Sequence, residues 1–184
     1  MSVKVRLKFS KHGEMKYIGH LDVMRYFQKV IRRSGIDIAY SEGFSPHQKM
    51  SFALALGVGI ESDAEYMDLE LNSAPSTDEI IARMNEHAAE GICITRASLL
   101  PEKSQNAMAS VAAASYEIFF GEELSSDMIE KAVMGFNEAK SVPIIKQTKK
   151  TTKELDLKKH IFELKFLPDS RSVYIMLSAG SAVN

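Results

Sequence analysis

The feature that most constrains the fold is the hydrophobic periodicity of the first hundred residues. Residues 3–9 alternate apolar and polar side chains, which is typical of a half-buried strand. Residues 19–34 instead carry apolar side chains every three or four positions, which predicts an amphipathic helix, and Gly35 follows as its stop signal. A strand followed at once by a helix is the start of a mixed α+β unit.

The pattern then continues with predicted strands at 36–40, 66–71 and 92–97, an ambiguous strand at 51–58, and a second helix that opens at 75–79. Ser76 and Glu79 have the spacing of a capping box at the start of that helix. The order is therefore β-α-β-β-α-β with one ambiguous extra strand. This is the order of a ferredoxin-like, or split βαβ, unit, in which an antiparallel sheet carries both helices on one face.

The same pattern begins again in the second half of the chain, with strands predicted at 112–120, 142–147, 160–167 and 173–177 and a helix at 126–139. The sequence predicts an α+β fold of tandem ferredoxin-like units, whose antiparallel sheets carry helices on one face. We expect a first unit with a basic N-terminal segment at 1–100, a linker at 101–110, and a second unit at 111–184. The final helix and strand of a complete unit are not predicted in this second unit, so it is either truncated or abbreviated.

Cysteine and histidine usage argues against metal and cluster sites. Cys93 is the only cysteine, so neither an iron–sulfur cluster nor a zinc site of the cysteine type is expected. None of the five histidines has the i, i+4 spacing of a helical zinc site. We therefore expect no metal and no cofactor.

The sequence also bears on where the protein works. A single cysteine favours a reducing compartment, where disulfides are rare. We see no run of eighteen apolar residues and no signal-peptide pattern. The expected location is the cytoplasm, without a membrane partner.

The net charge of −1 conceals a strong asymmetry along the chain. Residues 1–33 hold nine basic and two acidic residues, a net charge of +7, whereas residues 34–140 carry −12 and residues 141–184 carry +4. A positive segment indicates an anionic partner, although acidic neighbours could instead neutralise it in the fold. A second basic stretch, 146–159, is predicted to form a hairpin tip.

RNA binding is the best positive hypothesis for the basic segment, because lysine and arginine neutralise phosphates and exposed aromatic rings stack on bases. Tyr17, Tyr40 and Phe44 lie in or beside predicted loops and could provide such rings. The side chains predicted to bind RNA or another anionic substrate are Lys8, His20, Asp22, Arg25, Arg33, Ser45, His47 and Lys49.

Several local motifs then stand together in residues 6–70. They are Arg6-x-Lys8-Phe-Ser-Lys11, Tyr17-Ile-Gly-His-Leu-Asp22, Arg32-Arg-Ser-Gly35, Ser41-Glu-Gly-Phe-Ser-Pro-His47, the run from Lys49 to Leu56, Gly59-Ile-Glu-Ser62 and Glu65-Tyr-Met-Asp68. This combination resembles the radical-SAM-linked family of uncharacterised bacterial proteins, which are encoded beside a radical SAM protein or fused to one. The resemblance implies a radical SAM protein as partner. The chain is not itself a radical SAM enzyme, because it lacks the three cysteines of the cluster motif.

Three functions follow from these observations. The leading one is a non-catalytic accessory module of a radical SAM enzyme that presents RNA or another anionic substrate. The fold also resembles that of RAMP-type RNA endonucleases, so an alternative is a metal-independent ribonuclease with His20 or His47 as its base. A third is an adaptor that binds only protein.

Overall fold

The computed structural model describes residues 2–147 and 152–180. The chain divides into two compact units, Met1–Ser110 and Val111–Asn184. Within the part of the chain so described, no helix is long and apolar enough to cross a membrane.

The first unit is an antiparallel sheet whose two long helices lie on one face, as the sequence predicts. Its strands are β1 (Val3–Lys11), β2 (Met50–Phe52), β3 (Ser62–Leu71) and β4 (Ile92–Leu100), and its helices are α1 (His20–Arg33), α2 (Thr77–Glu86) and the short α3 (Ala107–Ser110). The strand order is β2-β3-β1-β4, with β1 paired to both β3 and β4. The α+β fold is confirmed and is consistent with a split βαβ unit.

The core of this unit lies between the sheet and helices α1 and α2. Alternate residues of β1, namely Val5, Leu7 and Phe9, are buried there, and Phe27 of α1 packs edge-on against the ring of Phe9 with ring centroids 4.8 Å apart. Ile80 of α2 is fully buried in the same cluster. Helix α2 begins as the capping motif predicts, because the Ser76 side chain accepts a hydrogen bond from the Glu79 amide at 3.2 Å. One face of the sheet is thus covered by helices.

Two predicted strands are largely loop in the structure. Residues 36–40 make only isolated bridges, from Ile38 to Leu71 and from Tyr40 to Gln48, so they pair with no strand over their full length. Of the predicted strand at 51–58, only the residues up to Phe52 form a strand in the structure. Gly59 follows in a turn with φ +87°, a conformation that a regular strand does not contain.

The second unit has a smaller sheet and a separate ribbon. Its elements are β5 (Ala113–Phe119), α4 (Ser126–Glu138), β6 (Pro143–Gln147), β7 (Thr152–Asp156), β8 (Ile161–Leu167) and β9 (Ser172–Ser178). The sheet order is β5-β9-β8, while β6 and β7 form a two-stranded ribbon. Helix α4 packs on this sheet through Ile129 and Val133, which contact Val173 of β9 in a small core.

The basic stretch 146–159 includes the end of β6, the whole of β7 and a 3₁₀ turn at Leu157–Lys159. The predicted hairpin tip itself, residues 148–151, lies outside the described residues.

Candidate functional site

The face of the first sheet opposite α1 and α2 carries a concentration of charged side chains. Because side chains alternate across a strand, the residues between the buried positions of β1, β3 and β4 all point to this side. We call it the open face, and its members are Lys4, Arg6, Lys8, Tyr66, Asp68, Glu70, Arg96 and Ser98.

One row of residues crosses the three neighbouring strands of the open face. Lys8 of the central strand β1 lies directly opposite Tyr66 of β3 and directly opposite Arg96 of β4. Residues paired in this way have Cα atoms about 4.5–5.5 Å apart. An aromatic ring, an ammonium group and a guanidinium group therefore stand side by side, and we call Tyr66, Lys8 and Arg96 the basic row.

A β-bulge sets the position of Arg96. The register of β1 on β4 shifts between Lys8 and Phe9, so that Thr95 is an extra residue on β4 and both Thr95 and Arg96 are exposed. The Thr95 hydroxyl donates a hydrogen bond to the Lys8 carbonyl at 3.3 Å. Such a bulge bends the strand and redirects its side chains, and here it places Arg96 beside Lys8.

The basic row lines an open cavity of about 340 Å³, together with Arg6, Thr95 and Ser98. Three of the six lining side chains are cations, and Tyr66 is 38% exposed. Among the residues that the structure describes, no carboxylate lies within salt-bridge distance of Lys8 or Arg96. The cavity therefore offers two uncompensated positive charges and an aromatic ring to a ligand.

The neighbouring row is neutralised by its own ion pair. The Arg6 guanidinium donates to both carboxylate oxygens of Asp68, with Nε–Oδ1 at 2.8 Å and Nη2–Oδ2 at 3.0 Å. This hydrogen bonding raises the pKa of Arg6 despite an opposing effect of burial. Arg6 thus stays charged, but Asp68 offsets its charge.

The segment that leaves β4 crosses the open face at this ion pair. The Gln105 carbonyl and the Ser110 hydroxyl accept hydrogen bonds from Arg6 at 2.9 and 3.3 Å, and the Ala107 amide donates to Asp68 Oδ2 at 2.6 Å. Ala107 is only 2% exposed. We call residues 105–110 the strap. They were predicted as linker, and the structure shows them fastened to the first unit.

Of the side chains predicted to bind an anion, Lys8 and Lys49 are associated with the open face. Lys8 belongs to the basic row. Lys49 pairs with Glu70 at 3.1 Å, four residues along β3 from Tyr66, which corresponds to about 13 Å of strand.

Four of the predicted residues lie on α1, which packs against the opposite face of the sheet, namely His20, Asp22, Arg25 and Arg33. Arg25 is exposed and pairs with Asp22 at 3.1 Å. Arg33 donates to the carbonyl of His87 at 3.1 Å. The structure therefore does not bring Arg25 and Arg33 together with Lys8.

The two predicted histidines stand in different surroundings. His20 is the first residue of α1, and its ring packs edge-on against Phe52 with centroids 5.2 Å apart. His47 lies in the 41–49 loop, where its Nδ1 is 2.8 Å from the Ser41 hydroxyl. Ser45 is exposed in the same loop.

The aromatic residues expected to stack on bases are exposed, with Tyr17 at 61%, Tyr40 at 51% and Phe44 fully exposed. None of them lines the cavity at the basic row. The ring that does so, Tyr66, was not predicted, and neither was Arg96. Tyr66 could have been found from the alternation of β3, but Arg96 depends on the register and on the bulge of β4, for which the sequence carries no clear signal.

One cation is buried inside the first unit. Lys11 is 2% exposed, and its ammonium group donates to the carbonyls of Ile18 at 3.0 Å and Lys16 at 3.4 Å. Burial lowers the pKa of Lys11. These bonds hold the segment that precedes α1 against the end of β1, so the role of Lys11 is structural. Over the described ranges, no group of three or more histidine, cysteine, aspartate or glutamate side chains could hold a metal ion.

Comparison with known proteins identifies a family whose description names no activity. A search of curated proteins found no match. A family model described as an uncharacterized protein conserved in bacteria, DUF2344, matches residues 4–184, nearly the whole chain. This description names neither a reaction nor a partner. Because the match covers both units, the chain belongs to the DUF2344 family of uncharacterised bacterial proteins.

Proposed function

We propose that the protein is a non-catalytic module that binds RNA, or a similar phosphate-bearing substrate, on the open face of its first unit. The observation that carries this proposal is the basic row, in which Tyr66, Lys8 and Arg96 lie side by side at the cavity. Cations bind phosphates and release their counterions, and exposed rings stack on unpaired bases. A four-stranded sheet with such side chains is one of the common platforms for single-stranded RNA.

Charge alone does not separate this face from the helix side, because Lys29, Arg32 and Arg33 on α1 are also exposed without carboxylate partners among the described residues. The ring of Tyr66 beside the cations favours the open face. Lys8 and Arg96 lack carboxylate partners among the described residues, so a phosphate would not have to displace an existing ion pair. Arg25 on α1 already pairs with Asp22, and Lys49 with Glu70. Exposed pairs of this kind contribute only about 0–1 kcal/mol, so they shift the preferred position of a phosphate without preventing it from binding at Arg25 or Lys49.

Binding of a fluorescent single-stranded oligoribonucleotide tests the proposal. The double variant Lys8→Ala, Arg96→Ala should raise Kd by about tenfold or more and reduce the slope of log K against log salt by about 0.7 for each phosphate that the protein no longer neutralises. The matched control is Arg25→Ala, which also removes an exposed cation but lies on α1. An equal weakening in both proteins would show that binding depends on positive charge in general and not on the open face, and unchanged binding in the double variant would refute the proposal.

The resemblance noted above extends this proposal to the partner, which would be a radical SAM enzyme. The module would then present the substrate while the enzyme performs the radical chemistry. An anaerobic pull-down of tagged protein from its own host tests this part separately. We expect both RNA and a radical SAM protein to be retained. Retention of RNA without such a protein would leave the binding proposal intact and remove the accessory role.

A further inference from the structure

We propose that the cavity at the basic row takes the terminal phosphate monoester of a nucleic-acid strand and not a phosphodiester within the strand. The inference rests on the proposed function and narrows its ligand. It follows from two features of the open face, the position of the strap and the charge of the row.

The strap closes the open face on one side of the cavity. Arg6 is the next outward-facing side chain on β1 from Lys8 towards the N-terminus, and it donates hydrogen bonds to Gln105 and Ser110 of the strap. Asp68, in the same row as Arg6, accepts from the Ala107 amide. A strand that crossed the basic row in this direction would meet the strap. The strap therefore blocks the path of a bound nucleic acid in this direction.

On the other side of the cavity the open face carries small side chains. The next outward pair beyond the basic row is Ser10 of β1 opposite Cys93 of β4, and Cys93 is exposed. The cavity is thus open towards Ser10 and closed towards Arg6. A site that is blocked on one side accommodates the end of a strand more readily than its middle.

The charge of the cavity matches a terminal phosphate. A phosphodiester carries one negative charge, whereas a phosphate monoester carries about −1.5 to −2 at neutral pH. Asp68 offsets the charge of Arg6, so Lys8 and Arg96 remain as two uncompensated cations. Two cations on one phosphate complement a dianion best. The exposed ring of Tyr66, which lines the same cavity, is available for stacking by the base of the terminal nucleotide.

The test compares four oligoribonucleotides of one sequence, which carry a 5′-phosphate, a 3′-phosphate, hydroxyls at both ends, or no ends because they are circular. We expect one or both of the phosphorylated forms to bind about tenfold or more tightly than the hydroxyl and circular forms, a difference that corresponds to one strong charge-assisted contact. The comparison of the 5′ and 3′ forms shows which end enters the cavity.

Variants connect the preference to the cavity. In the double variant Lys8→Ala, Arg96→Ala, the phosphorylated and hydroxyl forms should bind with about the same Kd. The control Lys49→Ala removes a cation elsewhere on the same side of the sheet and should retain the preference for a terminal phosphate. Both proteins are checked by circular dichroism, since all three side chains are at the surface. If circular RNA binds as tightly as the phosphorylated forms and still depends on Lys8 and Arg96, the RNA-binding proposal stands and the terminal-phosphate inference is wrong. If none of the four RNAs binds, both are wrong.

Discussion

At the scale of single residues, burial of charge separates the structural side chains from those available to a ligand. Lys11 and Lys8 lie on the same strand, but Lys11 is enclosed and bonded to carbonyls, whereas Lys8 faces the cavity. Alternation along β1 explains most of this difference, because the two residues are separated by an odd number of positions and point to opposite faces. Only Lys8 is therefore a candidate for phosphate contact.

Glu65, near Lys11, gives a prediction for the pH dependence of stability. Burial raises the pKa of Glu65 above 4.5, and this outweighs the opposing effects of the Ser62 hydrogen bond and the Lys11 charge. The folded state then holds the proton more tightly than the unfolded state. The contribution of Glu65 to the free energy of unfolding is therefore present at low pH and is lost as the pH rises through the folded pKa. In Glu65→Gln that loss is absent. We expect the unfolding free energy of the variant, relative to the natural protein, to increase between about pH 4 and about pH 7.

Urea unfolding of both proteins across this range measures the effect, and the comparison cancels the other carboxyl groups, such as Glu61, whose pKa is lowered by its bonds to Lys16 and His12. A relative stability that instead decreases with pH would show that attraction to Lys11 exceeds the cost of burying the carboxylate.

At the scale of elements, the regular parts of the fold follow from periodicity and the connections do not. The helix predicted at 19–34 appears as α1, His20–Arg33, because its apolar stripe faces a sheet that can bury it. The strap has no such pattern, since α3 spans only four residues and its place is decided by bonds to Arg6 and Asp68. Long-range contacts of this kind leave no trace in the local sequence.

The turn between α2 and β4 gives a prediction at this scale. Gly91 has φ +88°, and a Cβ at this position would lie 2.4 Å from the carbonyl oxygen of His12, whose own amide donates to the Gly91 carbonyl. Gly91→Ala should therefore destabilise the first unit by about 1–3 kcal/mol, from backbone strain and the clash together.

The matched control is Gly135→Ala, because Gly135 lies within α4 and a Cβ there meets nothing within 4 Å. That variant should stabilise the second unit by about 0.5–1 kcal/mol, as alanine is the better helix former. Thermal unfolding of each variant provides the measurement. A neutral Gly91→Ala would mean that the β1 end and the α2–β4 turn separate readily.

At the scale of the whole molecule, the sequence predicts the candidate site only in part. Lys8 could be proposed because it belongs to a basic segment, but the grouping of that segment with Arg25 and Arg33 ignored the two faces of the sheet. Tyr66 and Arg96 join Lys8 only through strand pairing and the bulge at Thr95. A local charge count finds basic residues, whereas the sheet topology decides which of them share a surface.

The division into two units leads to the last prediction. Every residue that lines the cavity, and the whole strap, belongs to Met1–Ser110, and this unit has a core of its own that includes Phe9, Phe27 and Met67. A compact unit with its own core is expected to fold alone. A fragment of residues 1–110 should therefore bind phosphorylated oligoribonucleotides with the Kd of the full chain, within about threefold. The same anisotropy titration, applied to fragment and full chain after circular dichroism confirms folding, provides the check. A folded fragment that binds much more weakly would place part of the binding surface in the second unit, where the basic residues of β6 and β7 would be the first to substitute.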